Sequence, residues 1–247
     1  MRVALVTGGS GGIGAGIVER LALDGFAVAF TAHSDAHAAS LLRERVRANG
    51  GAAECFPADV SREDDVGRLF EEVHSNLGPL DVIVSNAGVW PRARVCDMST
   101  DDWDHVIATN LRSTFLVCRA AARDFRARRY AGRIVTVSSG AASRGAVDGA
   151  HYAASKAAIV AFTKSLALEL APDRILVNCV APGTVDTPMP RLGMTEAELA
   201  ERARSFIPLG RIGTPDDVAE VVAFLLNERL TWMTGQTIWL NGGDLMP

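Results

Sequence analysis

The chain has 247 residues, 48% apolar and 22% charged, a composition that suits one ordinary globular domain and excludes a disordered chain. Its 25 basic and 29 acidic residues are interspersed and sum to −4, so the sequence offers no strong field to nucleic acid or to an anionic membrane. Cys55, Cys96, Cys118 and Cys179 stand far apart with no C-x-x-C pair, which suits separate reduced thiols and a cytoplasmic address. No run approaches the roughly 20 apolar residues of a membrane span, and Val3 to Val6 is too short for a signal-peptide core.

In chain order, Val3 to Thr7 reads as a buried strand that runs into a glycine-rich turn and then a helix. Ala27 to Thr31 is a second strand, Ala38 to Ala48 a helix, and Glu63 to Leu77 another helix with Ser61 as its N-cap. Val82 to Ser85 and Arg133 to Ser138 are strands on either side of one long helix, Thr100 to Arg123. A helix at Tyr152 to Leu170 and a strand at Leu176 to Val180 follow. Thr214 caps a helix over Pro215 to Leu226, and Thr237 to Leu240 is the last strand. This alternation predicts an α/β fold, a single-domain doubly wound parallel sheet with helices on both faces. The least regular stretch is Pro182 to Pro208, with a short helical pattern at Thr195 to Arg204. Residues 186–208 read as a lid over a site or, alternatively, as a surface insertion.

The first strand ends in Thr7-Gly8-Gly9-Ser10-Gly11-Gly12-Ile13-Gly14, and glycines there let the backbone approach a pyrophosphate at the positive end of the helix. Two registers fit, Gly9-x-Gly11-x-x-Gly14 and Gly8-x-x-x-Gly12-x-Gly14. The most specific pattern is Tyr152-Ala153-Ala154-Ser155-Lys156, which sets a phenol and an ammonium one helical turn apart on one face. A neighbouring ammonium is expected to lower the phenol's pKa and make it a usable acid or base near neutral pH. Ser138 and Ser139 follow the strand ending at Val137, where parallel sheets hold ligands. Ser138 suits a small turn residue, and Ser139 suits a hydrogen bond to a substrate oxygen.

These residues resemble the short-chain dehydrogenase/reductase family over essentially the whole chain, and in particular its 3-oxoacyl reductase-like members. Besides the glycine turn and Tyr152-x-x-x-Lys156, the matching pieces are Asp59-Val60, Asn86-Ala87-Gly88, Asn110 in Asn110-Leu111-Arg112-Ser113, Ser139, and Pro182-Gly183. The resemblance implies a Rossmann-type fold and selects the register of Gly8, Gly12 and Gly14, with Ser10 and Ile13 in the same turn. It implies that Asp59 and Val60 contact an adenine, that Asn86, Ala87 and Gly88 line the cofactor floor, and that Tyr152 and Lys156 face the nicotinamide ribose. Pro182, Gly183, Val185 and Thr187 would position the carboxamide. It also implies a catalytic set of Asn110, Ser139, Tyr152 and Lys156. Ser139 would orient a carbonyl, Tyr152 would protonate it, and Asn110 would interrupt its helix and hold a relay water.

The resemblance leaves NADP(H) or NAD(H) to the end of the second strand, where Ala32, His33 and Ser34 stand in place of an acid that would bond the ribose 2′-hydroxyl. NADP(H) is favoured, with His33 and Ser34 as phosphate contacts, although Asp35 is close enough in sequence to serve NAD(H). No metal is expected: His33 and His37 have helical spacing but no third ligand. Trp90, Pro91, Ala141, Ala142, Val147, Met189 and Phe206 predict a partly apolar substrate site. Arg126, Arg128 and Arg129 suit a solvated helix end or the docking of an acidic acyl carrier. The leading expectation is NADPH-linked reduction of a ketone or 3-oxoacyl group by a homotetramer. The alternatives are an NAD-dependent dehydrogenase of a sterol, sugar or aryl alcohol, and a catalytically silent nucleotide-binding sensor.

Overall fold

A computed structural model describes residues 1–33 and 35–247. Seven parallel strands form one sheet in the order β3-β2-β1-β4-β5-β6-β7. They are β1 (Val3–Val6), β2 (Ala27–Ala32), β3 (Ala52–Pro57), β4 (Val82–Ser85), β5 (Arg133–Val137), β6 (Leu176–Pro182) and β7 (Thr237–Leu240). The helices are α1 (Gly12–Leu23), α2 (Ala36–Ala48), α3 (Glu63–Leu77), α4 (Thr100–Val106), α5 (Ser113–Arg128), α6 (Ala141–Arg144), α7 (Ala150–Leu170), α8 (Pro188–Arg191), α9 (Glu196–Phe206) and α10 (Pro215–Leu225). The doubly wound sheet expected from the alternation of elements is therefore present.

Strand residues alternate between two cores because successive side chains leave a strand on opposite faces. Val3, Leu5, Ile83, Ile134 and Val177 join Leu69, Val117, Phe125 and Leu170 beneath α3, α5 and α7. Ala4, Val6, Val84, Val135 and Val180 join Ile17, Leu21, Leu42 and Val222 beneath α1, α2 and α10. Both faces are covered, which is why the strands read as continuous apolar runs. The order reverses between β1 and β4, and a parallel sheet opens a crevice at the carboxyl ends of the strands on either side of such a point.

Four elements depart from the sequence reading. β3 was not expected: its residues are Ala52, Ala53, Glu54, Cys55, Phe56 and Pro57, and only Phe56 is buried, so the edge strand lacks the apolar pattern of the others. The single helix expected over Thr100 to Arg123 is two helices joined by a π-helical turn, Ile107–Arg112, around Asn110. Ser61 does not cap α3. Arg62 holds that position, and the Ser61 hydroxyl donates to Asp59 Oδ1 at 2.7 Å. In the irregular segment after Pro182, α8 was not expected, while α9 matches the helical pattern at Thr195 to Arg204 and is opened by a capping box between Thr195 and Glu198. Thr214 does cap α10, paired with Asp217.

Among the described residues no helix is long and apolar enough to cross a membrane. α1 and α10 lie so close that a Cβ at Gly16 would stand 2.8 Å from Pro215 Cβ and 3.1 Å from its carbonyl carbon. Gly16→Ala is expected to destabilise the fold by about 1–3 kcal/mol through this overpacking. Urea unfolding should show a lower midpoint at unchanged slope, whereas an unchanged midpoint would mean that the two helices part without cost.

Candidate active site

The crevice between β1 and β4 is built by hydrogen bonds that fix a glycine turn. Asn86, just past β4, donates through Nδ2 to the carbonyls of Thr7 at 3.0 Å and Gly8 at 3.1 Å. The Thr7 hydroxyl accepts from the backbone of Asn86 at 3.0 Å and of Ala87 at 3.1 Å. Gly8 and Gly12 have φ of +63° and +53°, where a side chain is strained, and a Cβ at Gly14 would overlap the Gly8 carbonyl. Gly11 has open space around it. These constraints match the register Gly8, Gly12 and Gly14, although Gly9 is also confined, by Phe30. Gly11 caps α1 without any side-chain hydrogen bond, so the first amides of a 12-residue helix stand ready for an anion. A glycine cradle that a Cβ would fill, opening onto such a helix end, fits a dinucleotide pyrophosphate.

The expected catalytic residues meet on one side of this crevice. The side-chain amide of Asn110 is fully buried and pairs with both backbone groups of Val89, accepting at 2.8 Å and donating at 3.0 Å. Its second N–H donates to Ser155 Oγ at 3.0 Å, and Ser155 in turn donates to the Tyr152 carbonyl at 2.7 Å. Both amide protons are thus spent on protein, so a relay water would have no donor from this side chain. Ser155 carried no role in the sequence reading, because a serine inside a helical motif gives no sign of what it faces.

Lys156 is buried, and its Nζ donates to the Val137 carbonyl at the end of β5, 2.9 Å away. Its ammonium lies 5.8 Å from the centre of the Tyr152 ring. A Cβ at Gly88 would come within 3.3 Å of that nitrogen and 3.2 Å of Asn110 Oδ1, which makes glycine the residue that fits there. Ser138 donates to the Lys156 carbonyl at 2.7 Å and ties β5 to α7, while the oxygen of half-buried Ser139 accepts from Ala141 N at 3.2 Å and its hydroxyl lies beside Tyr152.

Electrostatics depart from the expectation that Lys156 brings Tyr152 down. Burial raises the Tyr152 phenol above its ordinary pKa of 10.0, and the adjacent Ser139 hydroxyl pulls it back only in part. The same burial pushes Lys156 down from 10.5 to about 8. Withdrawal from water penalises charge on either group, so at neutral pH Tyr152 keeps its proton.

Tyr152 and Ser139 open onto a cavity of about 590 Å³ together with Ile13, Pro182, Gly183, Val185 and Thr187. Thr187 also abuts the glycine turn, since a Cβ at Gly12 would stand 3.3 Å from its methyl group. Of the residues expected around the substrate, Trp90, Ala141, Val147 and Met189 line the cavity; Pro91, Ala142 and Phe206 do not. Trp90 stacks on Tyr152 at 4.8 Å and 15°. Arg92, Arg144 and Arg202 also line it, and sequence reasoning missed them because nothing local separates them from surface arginines.

The adenosine side is looser. Half-buried Ser10 lies in the turn, and Asp59 is held by Ser61; burial acts to raise its pKa, but the Ser61 hydrogen bonds and nearby His33 keep it below the ordinary value. The Val60 side chain is in the core, which leaves its backbone for contact. His33 is exposed at the end of β2, and Ser34 lies outside the described residues. Asp35 is occupied as the N-cap of α2, accepting from Ala38 N at 2.8 Å. In the basic cluster, Arg126 pairs with Asp173 at 2.5 Å and Arg128 with Asp124 and the Leu80 carbonyl, which leaves only Arg129 without an internal partner among the described residues.

Buried charge carries a stability cost, and its sign is testable. Below pH 8 Lys156 is charged in folded and unfolded chains alike, and the full penalty applies. Between pH 8 and 10.5 the folded state gives up the proton first, so wild-type stability recovers as pH rises. Lys156→Met should therefore be more stable than wild type by roughly 1–3 kcal/mol at pH 7, an advantage that fades towards pH 10.5. Chemical denaturation across that range checks it; a variant no more stable at pH 7 would contradict the burial cost.

Comparisons with known proteins agree with this geometry. Residues 8–244 match a family profile described as Enoyl-(Acyl carrier protein) reductase. The chain is 38% identical over 242 residues to the 3-oxoacyl-[acyl-carrier-protein] reductase FabG of Aquifex aeolicus, covering 98% of this chain and 96% of that protein. It is 40% identical over 243 residues to the acetoacetyl-CoA reductase of Shinella zoogloeoides, covering 98% of each. A crystal structure of a short-chain type dehydrogenase/reductase from Mycobacterium marinum superposes with a TM-score of 0.93 at 33% identity, covering 100% of this chain and 96% of that one. The chain belongs to the short-chain dehydrogenase/reductase family of nicotinamide-dependent oxidoreductases.

Proposed function

We propose that the enzyme reduces a ketone or 3-oxoacyl group with NADPH, and that Asn110, Ser139, Tyr152 and Lys156 carry the reaction. The observation behind this reading is that a phenol held protonated by burial shares one cavity with the Ser139 hydroxyl and the Pro182–Thr187 segment. Ser139 donates a hydrogen bond to the substrate oxygen and orients it. Tyr152 gives its proton to that oxygen as negative charge develops. The phenolate left behind is stabilised by the Lys156 ammonium one helical turn away. Asn110 is a positioning residue that locks Val89 and Ser155, and through Ser155 the turn of α7 that bears Tyr152. When bound, the nicotinamide supplies the hydride.

Gly8, Ser10, Gly12, Ile13 and Gly14 would hold the pyrophosphate, and Asn86, Ala87 and Gly88 the floor beneath it. Asp59 and the Val60 backbone would meet the adenine, and Pro182, Gly183, Val185 and Thr187 the carboxamide. NADPH is preferred because no acid ends β2 and Asp35 is committed to its cap, which leaves exposed His33 beside the 2′ position. Relatives named 3-oxoacyl-[acyl-carrier-protein] and acetoacetyl-CoA reductases support a 3-oxoacyl substrate. Because Arg126 and Arg128 are internally paired, little basic surface remains there for an acyl carrier.

Residues 186–208, with α8 and α9, are read as a lid over the cavity within a single domain spanning 1–247. A homotetramer is proposed through the α5 and α7 faces, where Phe115 and Leu168 are exposed, and through the C-terminal region bearing exposed Trp232. Four free thiols support a reducing, cytoplasmic setting.

Tyr152→Phe should lower kcat for ketone reduction by about 10²- to 10⁴-fold with cofactor binding retained. Wild-type rates in that variant would remove the phenol from the mechanism. kcat/KM for NADPH should exceed that for NADH, and Asp35→Ala should leave that preference standing. A strong NADH preference would point instead to an NAD-dependent alcohol dehydrogenase.

A further inference from the structure

The cavity beside Tyr152 carries a charge that hydride and proton transfer do not use. Arg92, Arg144 and Arg202 line it, and no aspartate or glutamate does. Just behind the wall, Asp244 pairs with Arg144 at 2.5 Å and with Arg202 at 2.7 Å, and Arg202 also donates to Thr184 Oγ1 at 2.7 Å. Those two arginines are structural: one carboxylate and one hydroxyl hold them. Arg92 has no carboxylate within ion-pair distance among the described residues. Glu198, whose pKa is held down by the Thr195 hydrogen bonds first and by Arg92 only last, makes no ion pair with Arg92.

Arg92 is nonetheless held in place. Its guanidinium stacks on Trp90 at 4.7 Å, and Trp90 stacks on Tyr152 at 4.8 Å. A Cβ at Gly149 would stand 2.6 Å from Trp90 Nε1, so the indole is pinned against bare backbone. The guanidinium also lies against Gly193, where a Cβ would overlap it as it stands. The two stacking steps keep the cation within about 10 Å of the phenol ring.

We propose that Arg92 receives a carboxylate on the substrate, so that the preferred substrates are oxo acids whose ketone lies at Ser139 and Tyr152 while the acid group reaches the Arg92 guanidinium. The inference rests on the reading of this cavity as the ketone site. Arg92 is the one cavity arginine with no carboxylate within ion-pair distance among the described residues, and a planar carboxylate matches its fork of donors. An extended chain advances about 1.2 Å per bond, so roughly two to five methylenes between ketone and carboxylate span the gap.

The test is a series of such oxo acids, each paired with its methyl ester, assayed with NADPH on wild type, Arg92→Met and Arg92→Lys. Binding of each acid to the NADP⁺-bound protein is measured separately by calorimetry. At the best chain length the wild-type acid-to-ester ratio of kcat/KM should exceed ten. It should fall about ten- to hundredfold in Arg92→Met and recover in part in Arg92→Lys. Acid binding should weaken in step. A wild-type ratio of one or below, or a ratio unmoved by Arg92→Met, overturns the proposal. So does an Arg92→Met variant that loses NADPH affinity as much as acid affinity, because the cation would then serve the cofactor. If the acids bind through Arg92 but neither member of any pair is reduced, the carboxylate site stands and the ketone-reductase reading falls.

Discussion

The buried amide of Asn110 holds together the parts on which the site depends. It completes the hydrogen bonds of Val89 in the loop after β4, and it reaches Ser155 on α7. A π-helical turn brings it there: the extra residue between α4 and α5 rotates Asn110 inward, where an uninterrupted α-helix would place its neighbours differently. In a dry interior each of these polar groups would be costly unpaired, so the set forms together or not at all. Tyr152 and Lys156 inherit their positions from it. Gly88 can approach them closely only because it lacks a side chain.

Burial has two consequences at that place, and the proposed chemistry uses both. It keeps the Tyr152 phenol protonated, which is the state a reductase needs at the moment an oxygen gains negative charge. It also makes the Lys156 charge expensive, a cost that the proposed mechanism explains by the ammonium's use after the proton has left. In the proposed mechanism lysine therefore acts on the product of proton transfer more than on the resting acid. Electrostatic reasoning from helical spacing alone misses this, since spacing gives proximity and says nothing of solvent.

Much of the architecture was legible because parallel strands covered on both faces are built on apolar runs, as Val82 to Val84 and Ile134, Val135 and Val137 are. β3 escaped because an edge strand with Glu54 and Pro57 carries little of that pattern. The π turn at Asn110 was not visible in periodicity, since its residues fit a continuous helix equally well, and only the family resemblance pointed to an interruption. The glycine register was ambiguous in sequence, while in space it is constrained by φ at Gly8 and Gly12 and by contact at Gly14. Arg92 was illegible for a different reason: its significance comes from its contacts with Trp90 and Gly193, a neighbour close in sequence and another about a hundred residues away.

The central claim is that Tyr152 stores the proton the substrate receives, and the chain is well suited to observing it because Tyr130 is its only other tyrosine. In protein labelled with ¹³C at the tyrosine ζ carbon, two resonances are expected, and Tyr130→Phe assigns the one from Tyr152. That resonance should stay close to the phenol position from pH 6 to about pH 9, consistent with a pKa raised above the ordinary 10.0 by burial. A phenolate signal appearing near pH 7 to 8 would contradict the account, because Tyr152 would then have little proton to give.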